Sequence, residues 1–198
     1  AIAKESYNTG FDELNFDYIR FPSDGDMYDI KYPFSEEQVI ADPNYGKAEV
    51  MRGFFKYLAE EMEDTDAVLS ADMFGMVTTN PDDLNIGQVL EYAEPYFDYI
   101  APMTYPSHYP KGFNGYPNPN KEVYGVIKYS MDQAVRRMNE ASSTPSKIRP
   151  WLQDFDYGGN YDIAEVRAQI QAVYDSGLTS WMLWDPSNRY TVDALLKE

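Results

Sequence analysis

The sequence contains no cysteine, which excludes disulfide bridges and thiolate metal sites. It has no run of about 18 apolar residues, so no segment is predicted to span a bilayer. Basic residues are few: the chain has 16 Lys and Arg but 33 Asp and Glu, which gives a net charge of −17. This charge argues against binding to nucleic acid or to an anionic membrane surface, because both need basic patches on the protein.

Motifs for cofactors and metals are also missing. The sequence has no glycine-rich phosphate loop and no zinc signature. Asp24, Asp26 and Asp29 lack the later glutamate of an EF-hand and are predicted to form a solvated acidic loop. We therefore predict no cofactor and no bound metal. No signal peptide is present, but the chain opens at Ala1 without methionine, so we expect a processed or truncated start.

Aromatic residues are abundant. They make up 16% of the 198 residues, with 18 Tyr and 3 Trp, in a chain that is 43% hydrophobic and therefore predicted to be globular. Two interpretations stay open. The rings could simply fill a tyrosine-rich core and surface, or some of them could line a sugar-binding cleft as amphipathic platforms.

Residues 11–22 are predicted to form a strand that ends in a functional site. Alternate positions are apolar on one face and mostly polar on the other, with Leu14, Phe16 and Tyr18 set against Asn15, Asp17 and Ile19. Burying an ionised carboxylate without partners is costly, so Asp17 is expected to point into a polar cavity. Pro22 and the polar residues after it end the strand, and strand ends of this kind carry catalytic groups in α/β barrels.

The rest of the chain alternates between helix and strand patterns. Further strands are predicted at 67–75, 97–105, 148–155 and 180–186. Helices are predicted at 47–63, 124–141 and 163–176, and a further helix is predicted to begin between residues 83 and 86 and to end at 93. Ser35 to Gln38 has capping-box spacing, and a last helix is expected to begin at Thr191 or Asp193. Pro102 requires a bulge or a strand end, because proline cannot donate a ladder hydrogen bond. The long segment 106–120 is expected to be a functional or disordered loop.

Five successive β/α units predict an α/β fold with a parallel sheet. Because each strand ends in polar or aromatic residues, a (β/α)8 TIM-barrel type fits better than a short open sheet. A full barrel needs about 250 residues, so we expect an incomplete barrel that lacks about three N-terminal units. We see no domain boundary and predict a single domain over residues 1–198. Exposed sheet edges would need cover from a homodimer, a domain swap or a missing segment.

The strand ends resemble a bacterial family of glycosyl hydrolase domains, which are (β/α)8 barrels distantly similar to α-amylases. The matching stretches are Phe11 to Pro22, Ser70 to Gly75, Ala101 to Tyr109, Arg149 to Phe155 and Trp181 to Tyr190. The resemblance implies that the five strands are strands four to eight of such a barrel. By the α-amylase comparison it also implies that Asp17 stands at the place of the nucleophile and Asp72 at the place of the acid, which is glutamate in α-amylases.

A looser resemblance is to the chitinase family, whose catalytic strand reads D-x-x-D-x-D-x-E. Asp12, Asn15 and Asp17 fall on its three aspartate positions, and Ile19 falls where that family has its acid glutamate. The stretch Met103 to Tyr105 and Trp184 are similar to the sixth and eighth strands of that family. Because the glutamate is replaced, the resemblance does not extend to substrate-assisted chemistry.

The candidate site combines a pair of carboxyl groups with sugar-binding side chains, as glycoside hydrolysis requires. Asp17 is predicted to be the nucleophile or base and Asp72 the general acid. Candidate substrate-binding residues are Asn15, Arg20, Tyr105, His108, Gln153, Asp154, Trp184 and Asp185, with Tyr109 as a further possible stacking ring.

Each of these residues has a structural alternative. Asp17 could pair with Arg20 or Arg149, and Asp185 before Pro186 is slightly better explained as a cap. His108, the single histidine, is more readily explained as an ordinary loop residue. The alternation does not decide whether Gln153 or Asp154 faces inward, and Trp181 is expected to pack under a helix.

We therefore predict a glycoside hydrolase acting on a polysaccharide or oligosaccharide, with extracellular or cell-surface location favoured over the cytoplasm. The alternative is a catalytically inactive carbohydrate-binding barrel that keeps the cleft and lacks a working carboxyl pair. The sequence does not identify the glycan or its linkage, and it does not separate retention from inversion.

Overall fold

The computed structural model of the chain describes residues 1–42 and 46–195. The strands are β1 (Glu13–Phe16), β2 (Val68–Phe74), β3 (Tyr99–Met103), β4 (Trp151–Gln153) and β5 (Met182–Trp184). The α-helices are α1 (Ile2–Asn8), α2 (Glu36–Ala41), α3 (Gly46–Met62), α4 (Leu90–Ala93), α5 (Val123–Glu140) and α6 (Ile163–Asp175).

The strands form one sheet in the order β1-β2-β3-β4-β5. Parallel pairing joins β1 to β2, β3 to β4 and β4 to β5. Parallel neighbours need crossover connections, and the helices between the strands supply them. The predicted α/β class and the five strands are confirmed.

Contacts divide the chain into two compact units. The first is Ala1–Met73 with Asn80–Ile100, and the second is Phe74–Thr79 with Ala101–Glu198. Each unit has its own buried apolar residues. Phe55 and Leu90 are fully buried in the first unit, and Ile127, Met131 and Leu152 in the second.

In the first unit, aromatic packing joins β1 to α3. The ring of Phe16 lies 6.1 Å from that of Phe97, and Phe97 lies 5.6 Å from Phe55 on the helix. The three- and four-residue spacing of apolar side chains in the sequence predicts an inward stripe on α3 made of Val50, Met51, Phe54, Leu58 and Met62. This prediction is wrong at one position, because Phe54 is exposed and Phe55 is buried. The two phenylalanines are adjacent in sequence, and only the partner ring of Phe97 determines which of them faces inward.

In the second unit, local capping sets the ends of α6. The Asp162 carboxylate accepts a hydrogen bond from the Ala164 N–H, and the Glu165 carboxylate accepts one from the Asp162 N–H. This reciprocal pair is a capping box. The helix ends before Gly177, whose φ of +80° is the left-handed conformation that glycine adopts most easily.

Several predicted elements differ from the structure. Helix α1 precedes β1, whereas the sequence patterns predict no element before the first strand. Helix α4 begins only at Leu90, because Leu84 and Asn85 have φ of 52° and 56°, which a right-handed helix does not allow. The predicted last helix is a 3-10 turn at Val192–Ala194, and residues 196–198 lie outside the described residues.

The apolar alternation predicted for the first strand also fails at its end. β1 ends at Phe16, and Tyr18 is exposed with φ of 55°. Ile19 is buried in place of Tyr18. The physical reason is the turn at Tyr18, which reverses the order of inward and outward side chains. Pro102 agrees with the strand-end explanation, since β3 ends one residue later at Met103.

Candidate active site

Polar side chains cover one face of β1 and β2. Asn15 pairs with Ser70, and alternation places Glu13 on the same face as Asn15 and Asp72 on the same face as Ser70. The Ser70 hydroxyl lies 2.7 Å from a Glu13 carboxylate oxygen and 2.7 Å from Asn15 Oδ1. Asn15 Nδ2 donates to Asp72 Oδ2 at 3.0 Å. Close polar contacts therefore run from Glu13 through Ser70 and Asn15 to Asp72, although the single Ser70 proton can be donated to only one of its two acceptors at a time.

Asp72 is the buried carboxyl group of this face, with 6% of its surface exposed. Gln88 lies beside it and is almost fully buried. Gln88 Nε2 donates to the carbonyl oxygens of Ile19 at 3.2 Å and of Asp72 at 3.3 Å. The Gln88 amide thus ties the segment that follows β1 to β2 at the height of Asp72.

Asp17 is exposed and directly follows the last residue of β1. Its Oδ1 accepts a 2.7 Å hydrogen bond from the N–H of Tyr18. Arg20, one of its proposed partners, instead donates to the Phe21 carbonyl at 3.3 Å and to Ser23 Oγ at 2.9 Å.

A pocket of about 290 Å³ lies beside this turn. It is lined by Tyr18, Arg20, Phe21, Pro22, Ser23 and Asp24. The Arg20 guanidinium carbon lies 5.4 Å from the centre of the Tyr18 ring. Among the predicted binding residues, Arg20 is therefore available in a surface pocket next to Asp17.

In the second unit, Gln153 is fully buried and its amide is used within the protein. Gln153 Oε1 accepts from the N–H of Ser107 at 3.2 Å and from the Ser107 hydroxyl at 2.8 Å. Its Nε2 donates to the Phe155 carbonyl at 2.9 Å. Gln153 thus holds the 3-10 turn Pro106–His108 against the end of β4.

Asp154 and Asp185 are also buried, and both accept hydrogen bonds from the chain beyond β5. Asp154 accepts from the Thr191 hydroxyl at 2.6 Å and from its N–H at 2.8 Å. Asp185 accepts from the N–H groups of Ser187 at 2.7 Å and Arg189 at 3.1 Å. In these contacts the two carboxylates cap backbone N–H groups of the loop after β5. This is the structural alternative to sugar binding that the sequence already favoured for Asp185. A role for either residue in sugar binding stays a prediction.

The aromatic candidates separate by exposure. Tyr105 and Tyr109 are buried, whereas 41% of Trp184 is exposed, with its ring 5.9 Å from that of Trp151. Burial raises the pKa of Tyr109, whose hydroxyl accepts a hydrogen bond from Ser130 at 3.1 Å. Of these three rings, Trp184 is the one with a large accessible face. Trp181 is half-buried, and its indole N–H donates to the Tyr174 hydroxyl of α6 at 3.0 Å; its packing under a helix stays a prediction.

His108 is exposed and lies in a group of aromatic rings. Its ring centre is 5.4 Å from that of Tyr105, 6.4 Å from that of Phe155 and 6.0 Å from that of Tyr157. Its Nδ1 lies 2.9 Å from the Ser107 hydroxyl oxygen. Partial burial lowers the pKa of the imidazole, because it disfavours the charged form.

The structure thus forms two groups from the predicted residues, one in each unit. Asn15, Asp17 and Asp72 lie on adjacent strand ends of the first unit. Tyr105, His108 and Gln153 are linked in the second unit.

Sequence reasoning missed Glu13, Gln88, Ser107 and Tyr157. Only Glu13 had a usable signal, since it falls two residues before Asn15 on the polar face. Within the described residues, no group of three or more His, Asp or Glu is placed to hold a metal ion. No helix in that part of the chain is both long and apolar enough to cross a bilayer.

Two of the solved structures to which the chain is similar come from bacterial enzymes. The glycoside hydrolase domain of PgaB (BpsB) from Bordetella bronchiseptica superposes with a TM-score of 0.53 at 19% identity, over 78% of this chain and 43% of that one. The spore cortex-lytic enzyme SleL from Bacillus megaterium QM B1551 has a TM-score of 0.53 at 12% identity, over 76% of this chain and 45% of that one. At this identity the likeness shows the fold, and it confirms the predicted incomplete barrel type.

The chain therefore spans less than half of each of these two structures. No curated protein sequence matches it. One family profile does match, with the description "Putative glycosyl hydrolase domain", over residues 1–190. Because this match covers nearly the whole chain, the protein belongs to that family of glycosyl hydrolase domains.

Proposed function

We propose that this protein hydrolyses glycosidic bonds in a polysaccharide or oligosaccharide, with Asp17 and Asp72 as its two carboxyl groups. The register of β1 and β2 carries the proposal. Phe16 pairs with Ala71, so Asp17 and Asp72 each stand one residue further along neighbouring parallel strands. Adjacent strands lie about 4.8 Å apart, which brings the two residues level at one end of the sheet.

The different surroundings of the two residues support different roles. A general acid must keep its proton near neutral pH, and burial generally favours the neutral carboxyl group. Asp72 is the buried member of the pair, so we assign it the acid role. Asp17 is exposed at a turn, where a substrate can reach it, and is assigned as nucleophile or base. Asn15 bonds to Asp72 and orients its carboxyl group.

The test compares hydrolysis of a panel of bacterial and plant polysaccharides by the wild-type chain and its Asp17→Asn and Asp72→Asn variants. Loss of a general acid or base typically lowers the rate about 10²- to 10⁴-fold, and we expect losses of at least this size. Asp64→Asn is the matched control, because Asp64 is exposed in the turn after α3. Circular dichroism of each variant reports whether the fold is retained.

Unchanged turnover in either folded Asp variant would refute its assigned role. If the wild-type chain binds a glycan saturably but forms no product over long incubation, the alternative of an inactive carbohydrate-binding barrel is correct. An extracellular or cell-surface location goes with the proposal, because polymeric glycans of this kind lie outside the cytoplasm. Fractionation of the producing cell would test it.

A further inference from the structure

His108 is the single histidine of the chain, and its hydrogen bonds define which ring nitrogen carries the proton. Gln153 provides the first constraint. Its side chain faces a carbonyl oxygen of Phe155 on one side and the N–H of Ser107 on the other. Only the amide NH₂ can bond to a carbonyl, and only the amide oxygen can accept from an N–H. The orientation of the Gln153 amide is therefore fixed, with Oε1 toward Ser107.

The proton of the Ser107 hydroxyl follows from this orientation. Ser107 Oγ lies 2.8 Å from Gln153 Oε1, which has no proton to give. The hydroxyl must donate in this contact, so its single proton points at Gln153. Toward His108, the same oxygen can then only accept. Because Nδ1 of His108 lies 2.9 Å from it, Nδ1 must be the protonated nitrogen.

The other nitrogen is then free to accept a hydrogen bond. The partial burial that lowers the pKa of the ring favours the neutral imidazole, in which a protonated Nδ1 leaves Nε2 with its lone pair. In the described part of the chain, Nε2 makes no hydrogen bond, and His108 is exposed. The chain thus presents a pre-oriented acceptor to solvent.

A flat apolar ring lies beside this acceptor. Tyr157 is 63% exposed, and its ring centre is 6.0 Å from that of His108, tilted by 42°. Tyr105 and Phe155 flank the imidazole at 5.4 Å and 6.4 Å and restrict its rotation. Tyrosine rings offer an amphipathic face to the C–H groups of a sugar, while the neighbouring acceptor can bind a hydroxyl.

We propose that His108 and Tyr157 form a sugar-binding subsite, in which Nε2 of His108 accepts a hydrogen bond from a pyranose hydroxyl stacked on Tyr157. Gln153 and Ser107 are positioning residues that hold the imidazole in its Nδ1–H tautomer. The choice of a carbohydrate ligand rests on the proposed function. The tautomer does not, because it follows from hydrogen bonds within the protein.

The tautomer is tested by ¹⁵N NMR of histidine-labelled protein, which gives one set of ring signals because there is one histidine. Near neutral pH we expect a protonated Nδ1 and an unprotonated Nε2. Ser107→Ala removes the acceptor and is expected to shift the ring toward a mixture of both tautomers. Ser187→Ala is the matched control in another exposed loop and should leave both signals in place. An Nε2–H tautomer in the wild-type protein would overturn the inference.

The ligand is tested by titrating the same sample with hexamers of glucose (β-1,4), N-acetylglucosamine and glucosamine. We expect at least one of them to shift the Nε2 resonance saturably, and Tyr157→Ala to weaken that binding about threefold to tenfold. If no hexamer shifts Nε2, or if Tyr157→Ala binds as tightly as wild type, the subsite is refuted.

The outcome is separable from the proposed hydrolysis. Asp17→Asn should abolish turnover and leave the Nε2 shift intact. If hydrolysis is never found but the Nε2 shift is, the subsite stands and the catalytic assignment fails.

Discussion

Replacing Gln169 with leucine is expected to destabilise the second unit, because this side chain acts as a hydrogen-bonding partner for a strand. Gln169 lies on α6 and is fully buried. Its Oε1 accepts from the N–H of Gln153 at 3.0 Å, and its Nε2 donates to the carbonyl of the same residue at 2.8 Å. Leucine has a similar size, so the change removes both bonds without opening a large cavity.

The magnitude follows from the two backbone groups left without a partner. Each buried, unsatisfied N–H or C=O costs about 1–3 kcal/mol. The more apolar leucine recovers about 1–2 kcal/mol by its burial. The two groups together lose about 2–6 kcal/mol, so after this recovery we expect Gln169→Leu to lower the free energy of unfolding by about 2.5 kcal/mol, and by at most about 5 kcal/mol. A loss of this size is a large share of the stability of an ordinary domain.

Urea unfolding, followed by circular dichroism and tryptophan fluorescence, measures this loss. Gln171→Leu is the matched control on the same helix. Gln171 is exposed and its amide donates to the exposed Asp175 carboxylate at 2.8 Å, so we expect a change within about 0.5 kcal/mol. If Gln169→Leu costs less than about 1 kcal/mol, the backbone of Gln153 does not depend on this amide and the reasoning is wrong.

Two further predictions concern stability. Gly75→Ala is expected to cost about 1–3 kcal/mol or more in urea unfolding, because its Cβ would lie 2.4 Å from the carbonyl oxygen of Met103. The control Gly53→Ala meets nothing within 4 Å and should stabilise α3 by up to about 1 kcal/mol. Equal effects of the two substitutions would contradict this prediction. Tyr124→Phe removes the 2.7 Å hydrogen bond that, together with one from Gln171, lowers the pKa of Asp175. A depressed carboxyl pKa stabilises the fold above the ordinary carboxyl pKa, and this stabilisation is lost as the pH falls through the folded-state pKa. The variant should therefore melt below wild type at pH 7, and the gap should close as acid protonates Asp175; a gap that persists in acid would exclude this cause.

Much of the fold was predictable because helices and strands follow from the spacing of apolar residues that are close together in sequence. The helices α5 and α6 were placed within a residue or two, since each has an apolar stripe at helical spacing and α6 has a cap at both ends. The parallel strands were predicted from alternation with those helices. The errors fell where local patterns are ambiguous, as at the neighbouring Phe54 and Phe55, or where backbone conformation intervenes, as at Tyr18.

The candidate site was only partly predictable, because the partners of a polar residue lie far away in sequence. The sequence marked Asp17 and Asp72 by their places on strands. It did not mark Gln88, which bonds to both strand segments from 69 and 16 residues away. A buried glutamine outside a motif gives no signal until its partners are known.

The sequence by itself determined the class of the fold, the place of the carboxyl groups at strand ends and the likeness to glycosyl hydrolase domains. Periodicity and strand-end chemistry are local properties, so they can be read from neighbouring residues. Only the tertiary structure decided that Gln153, Asp154 and Asp185 bond within the protein, and that Tyr157 rather than Tyr109 offers an open ring. Exposure and hydrogen-bond partners depend on which distant segments pack together, and a single residue's neighbours in sequence do not contain that information.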